Sequence, residues 1–168
     1  MGEALSMNNK LEVLIMRENK IRWNTYCNFW QYLLPNITIQ KINLMRTDLT
    51  DRVIEKMVKY LEVPNVSLVD LDISKNNITD VGLKTLCGSL KVNTSVKFLN
   101  MSGNKIKEEG LNDLVDYLIE NKTLQELSLG SNIITNEGLS LLSRFLPCNK
   151  TLSHLEISKN AFSDVGFE

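Results

Sequence analysis

An α/β solenoid of right-handed coils, with parallel strands on the concave face and helices on the convex face, is the fold class this sequence predicts, on three observations. One apolar pattern, LxxLxLxxNxL, recurs six times: LEVLIMRENKI from Leu11, ITIQKINLMRTDL ending at Leu49, LVDLDISKNNI from Leu68, VKFLNMSGNKI from Val96, LQELSLGSNII from Leu124 and LSHLEISKNAF from Leu152. The unit starts, at residues 11, 39, 68, 96, 124 and 152, are 28 or 29 residues apart. Within each unit the apolar period then changes from that of a strand to that of a helix. A fixed period between roughly 20 and 50 residues marks a stack of units that bury their apolar faces only against one another.

The strand comes first in each unit. In LQELSLGSNII, Leu127 and Leu129 alternate with Glu126, Ser128 and Gly130, the signature of a strand with one buried face. The helix follows, its apolar residues three and four apart: Tyr26, Phe29 and Leu33; Ile54, Met57 and Leu61; Leu83, Leu86 and Leu90; Leu111, Leu114 and Leu118; Leu139, Leu142 and Leu146. Parallel strands joined by helical crossovers put all helices on one side of the sheet.

Three polar columns mark the joints. Asn19, Asn76, Asn104, Asn132 and Asn160 stand where the chain leaves its strand, and a buried amide there pairs backbone groups that the bend leaves open. Thr47 replaces Asn in the second unit, so that turn is expected to be looser or to use a hydroxyl. Gly82, Gly110, Gly138 and Gly166 recur near the helix starts, where small size lets one coil approach the next; Thr25 and Val53 hold that place in the first two units. The pairs Thr50-Asp51, Thr79-Asp80 and Ser163-Asp164 offer side-chain oxygens to the free amides of the helix starts.

These registers together resemble the leucine-rich repeat family, in its ribonuclease-inhibitor-like subclass, over nearly the whole chain. The subclass includes ribonuclease inhibitor, Ran GTPase-activating proteins, the C-terminal domain of tropomodulin, receptor arrays of innate immune sensors, and ciliary and centrosomal scaffolds. The resemblance implies a horseshoe and a protein-binding role. Only the GTPase-activating branch is tied to a catalytic effect, and no motif here singles that branch out.

Bulk composition narrows the classes further. Residues 1–168 read as one domain, with no linker-like stretch between units. Apolar residues make up 43% and charged ones 23%, enough for a continuous core. Lys and Arg (19) nearly balance Asp and Glu (20), so no field favours nucleic acid or a membrane surface. No stretch approaches the roughly 18 to 20 apolar residues of a membrane span, and the first residues lack a signal core. Cys27, Cys87 and Cys148 lack the spacing of a zinc site or disulfide framework, which fits a reducing compartment: the cytoplasm, with nucleus, cilium or cytoskeleton as further settings. The Asn-x-Ser/Thr triplets at Asn36, Asn93, Asn121 and Asn149 each fall just before a unit's first apolar residue, so the repeat explains them without glycosylation. Both ends fall inside a repeat, which predicts a piece of a longer array and leaves end-to-end self-association through uncapped ends as a second mode.

A partner is expected on the concave face. Its outward columns are Val13, Lys41, Asp70, Phe98, Glu126 and His154, then Ile15, Asn43, Asp72, Asn100, Ser128 and Glu156, with Arg17, Met45 and Arg46 toward the strand ends. Aromatic and Arg anchors dominate interface energetics, which puts Phe98, Arg17 and Arg46 first. The bland reading of such scattered residues is ordinary solvated surface. On α-helical faces, Trp30 shares a column with Val58, Cys87 and Val115, and is expected to pack between helices. Tyr32, Tyr60, Tyr117 and Phe145 form another column, expected to bridge coils with hydroxyls reaching solvent. His154 is the only histidine, so no catalytic pair, metal centre or cofactor site is proposed. The expectation is a non-enzymatic module or scaffold binding another protein. The alternatives are a GTPase-activating array and the sensor region of an immune receptor.

Overall fold

Six short strands alternate with helices in chain order. The protein is seen in a computed structural model, which describes residues 2–64 and 66–164. The order is α1 (Gly2–Met7), β1 (Val13–Ile15), α2 (Trp23–Leu33), β2 (Lys41–Asn43), α3 (Asp51–Leu61), β3 (Asp70–Asp72), α4 (Asp80–Leu90), β4 (Phe98–Asn100), α5 (Glu108–Glu120), β5 (Glu126–Ser128), α6 (Asn136–Ser143) and β6 (His154–Glu156). The strands form one open parallel sheet in the order β1-β2-β3-β4-β5-β6, and each helix packs on the next. This is a leucine-rich-repeat solenoid of the ribonuclease-inhibitor-like type, with strands on the concave face and helices on the convex one.

Each strand buries its middle residue and turns its two flanks outward. Leu14, Ile42, Leu71, Leu99 and Leu127 are buried, and Leu155 in β6 is half-buried. Leu44, Ile73, Met101 and Leu129 follow them inward and meet the helical residues in one continuous core. Burying each such side chain contributes about 1.5–3 kcal/mol, and the repeat multiplies that gain along the stack.

The asparagine column is a ladder between coils. Asn104 donates from Nδ2 to the carbonyls of Ile73, 3.1 Å away in the preceding coil, and Met101 in its own, while its Oδ1 accepts the Ile78 amide. Asn76 and Asn132 bond in the same way. Asn19 departs from expectation: it is exposed and, among the described residues, its side chain bonds only the Met16 and Arg17 carbonyls of its own turn, β1 being the first strand described. At Thr47 the hydroxyl does replace the amide, donating to the Leu44 carbonyl at 2.7 Å and accepting from the Tyr26 hydroxyl.

A second asparagine ladder closes the helix ends. Asn36, Asn93 and Asn149 donate to the Leu5, Leu61 and Leu118 carbonyls of the preceding coil's helix, and their Oδ1 atoms accept the amides two and three residues ahead. These are the asparagines of the Asn-x-Ser/Thr triplets, and their recurrence follows from this bracket. Asn121 instead donates to the Tyr117 hydroxyl.

The helix starts use their acids differently from the sequence expectation. Among the described helix starts only Thr79 caps its own helix, accepting from the Val81 amide; Thr50 makes no side-chain cap bond. Asp51 reaches forward to the next coil, accepting the Thr79 amide and hydroxyl, and Asp80 accepts the Lys107 amide. Glu108 likewise takes the Thr135 amide at 2.8 Å. The coils stack so closely that the acid at the first helical position bonds the neighbouring coil's amide. The glycine column permits this approach, because a Cβ on Gly110 would lie 2.9 Å from the Asp80 Cα, and one on Gly82 would collide with the Asp51 carboxylate. Gly166 lies outside the described residues, as does the rest of that helix start beyond Asp164.

Two other expectations are corrected. In α6 the inward residue is Phe145, not Leu146, which is exposed: the helix ends at Ser143 ahead of Pro147, and the turn that follows rotates Phe145 into the core. The tyrosine hydroxyls do not generally reach solvent. Tyr60 is fully buried, and burial pushes its hydroxyl up to about 12. Tyr117 is also buried, and only Tyr32 is substantially exposed. The column lies at the joint between adjacent helices, so stacking covers the Tyr60, Tyr117 and Phe145 rings. Trp30 packs between helices as expected, 6.0 Å from the Tyr60 ring centre.

Candidate functional site

The parallel register builds the two concave columns residue by residue. Val13, Lys41, Asp70, Phe98, Glu126 and His154 are successive cross-strand neighbours, and so are Ile15, Asn43, Asp72, Asn100, Ser128 and Glu156. The middle of the face is a shallow dish of about 430 Å³ lined by Lys41, Asp70, Asp72, Phe98, Asn100, Glu126 and Ser128.

Electrostatically the dish is uneven. Lys41 Nζ lies 2.5 Å from Asp70 Oδ2, so that pair is satisfied within the sheet, though too exposed to contribute much stability. Phe98 stands between Asp70 and Glu126, half-buried by its neighbours. Glu126 and His154 have no side-chain hydrogen bond or ion pair among the described residues.

The second column is tied to its own backbone. Asp72 Oδ1 accepts the Ser74 amide at 3.0 Å and its hydroxyl at 2.6 Å, and Asp72 Oδ2 accepts from Asn43. Asn43 and Asn100 hold the amides of Met45 and Ser102 in the same way. Glu156 accepts the Ser158 hydroxyl and amide and the Gly130 amide, and these bonds, the Ser158 hydroxyl foremost, hold its carboxyl below the usual range. Each bracket pins the strand exit, where Arg46, Lys75, Gly103, Ser131 and Lys159 adopt left-handed backbone conformations with φ between 52° and 69°.

Of the sequence candidates, the register therefore assembles Lys41, Asp70, Phe98, Glu126 and His154 in one column. Asp72, Asn100 and Glu156 stand in the next, serving the turns. Arg17 and Arg46 are exposed at the rim, with Met45 half-buried beside them. The turn role was missed from sequence, although its signal is present: an Asn, Asp or Glu recurs two residues before the amide it caps, as in Asp72-x-Ser74 and Glu156-x-Ser158. No group of three or more His, Cys, Asp or Glu side chains among the described residues could hold a metal ion, and no helix there is long and apolar enough to cross a membrane.

Comparison with known proteins matches this architecture. Solved structures with the same fold include the C-terminal domain of a Caenorhabditis elegans tropomodulin, 17% identical with a TM-score of 0.73 over 87% of this chain and 91% of that one. Another is described as leiomodin-1 actin-binding site 2, 20% identical with a TM-score of 0.68 over 87% and 88% of the two chains. An internalin of Listeria monocytogenes is 19% identical with a TM-score of 0.51, covering 94% of this chain but 44% of the other. A search of curated protein sequences finds no match. The family model described as the TMOD/LMOD leucine-rich domain matches residues 67–165, more than half of the sequence, and the chain belongs to that family.

Proposed function

We propose that this chain is a non-enzymatic protein-binding module of the actin cytoskeleton, working in the cytoplasm, and that its concave face carries the partner. The observation that carries the reading is the first concave column, where Phe98 stands in register with Glu126 and His154, whose side chains bond nothing among the described residues, next to a second column in which Asn43, Asp72, Asn100 and Glu156 hold their turns. An aromatic ring set beside an unpaired carboxylate is the composition of an interface anchor. Actin is the first partner to test, because the leiomodin-1 structure with the same fold is described as an actin-binding site. Contact extends from Phe98 and Glu126 toward the rim at Arg17, Met45 and Arg46.

The test is cosedimentation with filamentous actin and fluorescence titration of monomeric actin. A Phe98→Ala/Glu126→Lys chain should lose affinity about tenfold or more, as central anchors do, while Lys84→Ala on the convex face should not change it. Equal binding by all three chains removes the concave site. Acceleration of GTP hydrolysis on a small GTPase, abolished by Arg17→Ala or Arg46→Ala, would replace this reading with the GTPase-activating one.

A further inference from the structure

The first full helix departs from its own repeat. Trp23, Cys27 and Trp30 on α2 and Leu34 at its C-cap share one stripe at helical spacing. The repeat supplies an internal comparison: the counterparts of Trp23 and Cys27 are Asp51 and Glu55 on α3 and Asp80 and Lys84 on α4, and they are polar again on α5 and α6. The later coils carry polar residues at both places, of which Asp51, Asp80 and Glu108 bond the next coil's amide, and only this coil makes both places apolar.

Trp30 is absorbed into the core, but Trp23 and Cys27 are only half-buried. With Leu34 and Gln31 they line a groove of about 410 Å³ whose other wall is α3, through Lys56 and Lys59. Arg52, four residues before Lys56 on that helix, lies 4.1 Å over the Trp23 ring. Among the described residues, the charged side chains that line the groove, Lys56 and Lys59, are both positive, and Arg52 adds a third positive charge beside Trp23. Lys59 has Glu62 at 3.7 Å, an exposed pair too weak to neutralise the wall. The groove lies between two helices that are both in place, while α1 packs on the other side of α2, with Gly2 against the Tyr32 ring. An additional coil stacked before α1 would leave it open.

We infer that the α2–α3 groove is a second protein-docking site, on the convex side, for an acidic amphipathic segment of a partner. An aliphatic or aromatic side chain of that segment occupies the recess over Trp23 and Cys27, and its flanking Asp or Glu residues meet Lys56, Lys59 and Arg52. A lipid surface fits less well, since membrane attachment by charge takes a cluster of about 4–8 basic residues and this chain carries a net charge of −1.

The chain's two tryptophans both line this groove, so its intrinsic emission reports occupancy. A randomised displayed-peptide library is selected on the whole chain and, in parallel, on the Lys56→Glu/Lys59→Glu chain, and the enriched peptides are synthesised and titrated. Peptides combining an apolar anchor with Asp or Glu should emerge, shift the tryptophan emission, and lose about tenfold or more in affinity on the charge-reversed chain. They should not bind Cys27→Glu, which restores the polar residue the repeat carries at Glu55, and circular dichroism checks that both variants are folded. Binding should persist in Phe98→Ala, which separates this site from the concave one. The proposal is overturned if enriched peptides are basic or neutral, if no peptide enriched on the chain shifts its emission, if charge reversal leaves affinity unchanged, or if phosphatidylserine vesicles produce the shift and peptides do not.

Discussion

The Tyr26 hydroxyl donates to the hydroxyl of Thr47, which in turn donates to the Leu44 carbonyl at 2.7 Å. This relay sits at the rung where threonine stands for asparagine, and the other helices carry Ile54, Leu83, Leu111 and Leu139 in place of the tyrosine. A threonine is too short to span two coils, and the tyrosine hydroxyl supplies the missing reach from the helix side.

Tyr26→Phe should therefore destabilise the chain by about 1–2 kcal/mol, because Thr47 is left buried and short of a donor. Tyr60→Phe should do the opposite and stabilise by up to about 1 kcal/mol, since it deletes a buried hydroxyl with no hydrogen-bond partner among the described residues. Burial pushes both hydroxyls up to about 12, so it is bonding and not titration that separates them. Urea denaturation midpoints giving both variants the same sign would refute the relay.

Asn104→Ala should cost about 2–4 kcal/mol, as it strands the Ile73 and Met101 carbonyls and the Ile78 amide in the interior. Asn19→Ala, at an exposed rung bonded only to its own turn, should cost less than about 1 kcal/mol. Thermal melts of the pair check the order.

Core truncation gives a third contrast. Leu99→Ala and Leu127→Ala, both buried, should cost about 2–5 kcal/mol each, whereas Glu126→Ala should change stability by less than about 0.5 kcal/mol. The reverse order in calorimetry would invert the assignment of inward and outward strand positions.

Glycines divide by neighbour. Gly110→Ala should destabilise, because the added carbon would meet the Asp80 backbone, while Gly88→Ala, with nothing within 4 Å and a helix around it, should stabilise by about 0.5–1 kcal/mol. Denaturation curves for the two substitutions test this sign change.

Stability should also fall on the acid side. The Glu156 carboxyl is held low in the fold, so its contribution is fully present above the ordinary carboxylate range and disappears as pH falls through its depressed folded value. The Glu156→Gln chain should show a shallower loss of melting temperature on acidification than the parent; parallel curves would show that the Ser158 and Gly130 bonds do not couple to folding.

Periodicity alone determined the solenoid, the strand-then-helix order, the inward Leu99 and Leu127 and the two concave columns, because each unit solves the same packing problem and writes the same residues into the chain. The asparagine column at the strand exits, with Thr47 in the second unit, was legible for the same reason. Only the tertiary structure decided where polar side chains that bridge coils find their partners. Asp51 faces Thr79, Asn93 faces Leu61 and Tyr26 faces Thr47 across separations of more than twenty residues, set by how closely the coils approach. The same approach placed Phe145 inside instead of Leu146, buried Tyr60, and left Glu126 unbonded while tying Glu156 to its turn. A repeating sequence states which face is apolar; the distance between neighbouring coils settles which polar atoms are used up in holding them together and which stay free for a partner.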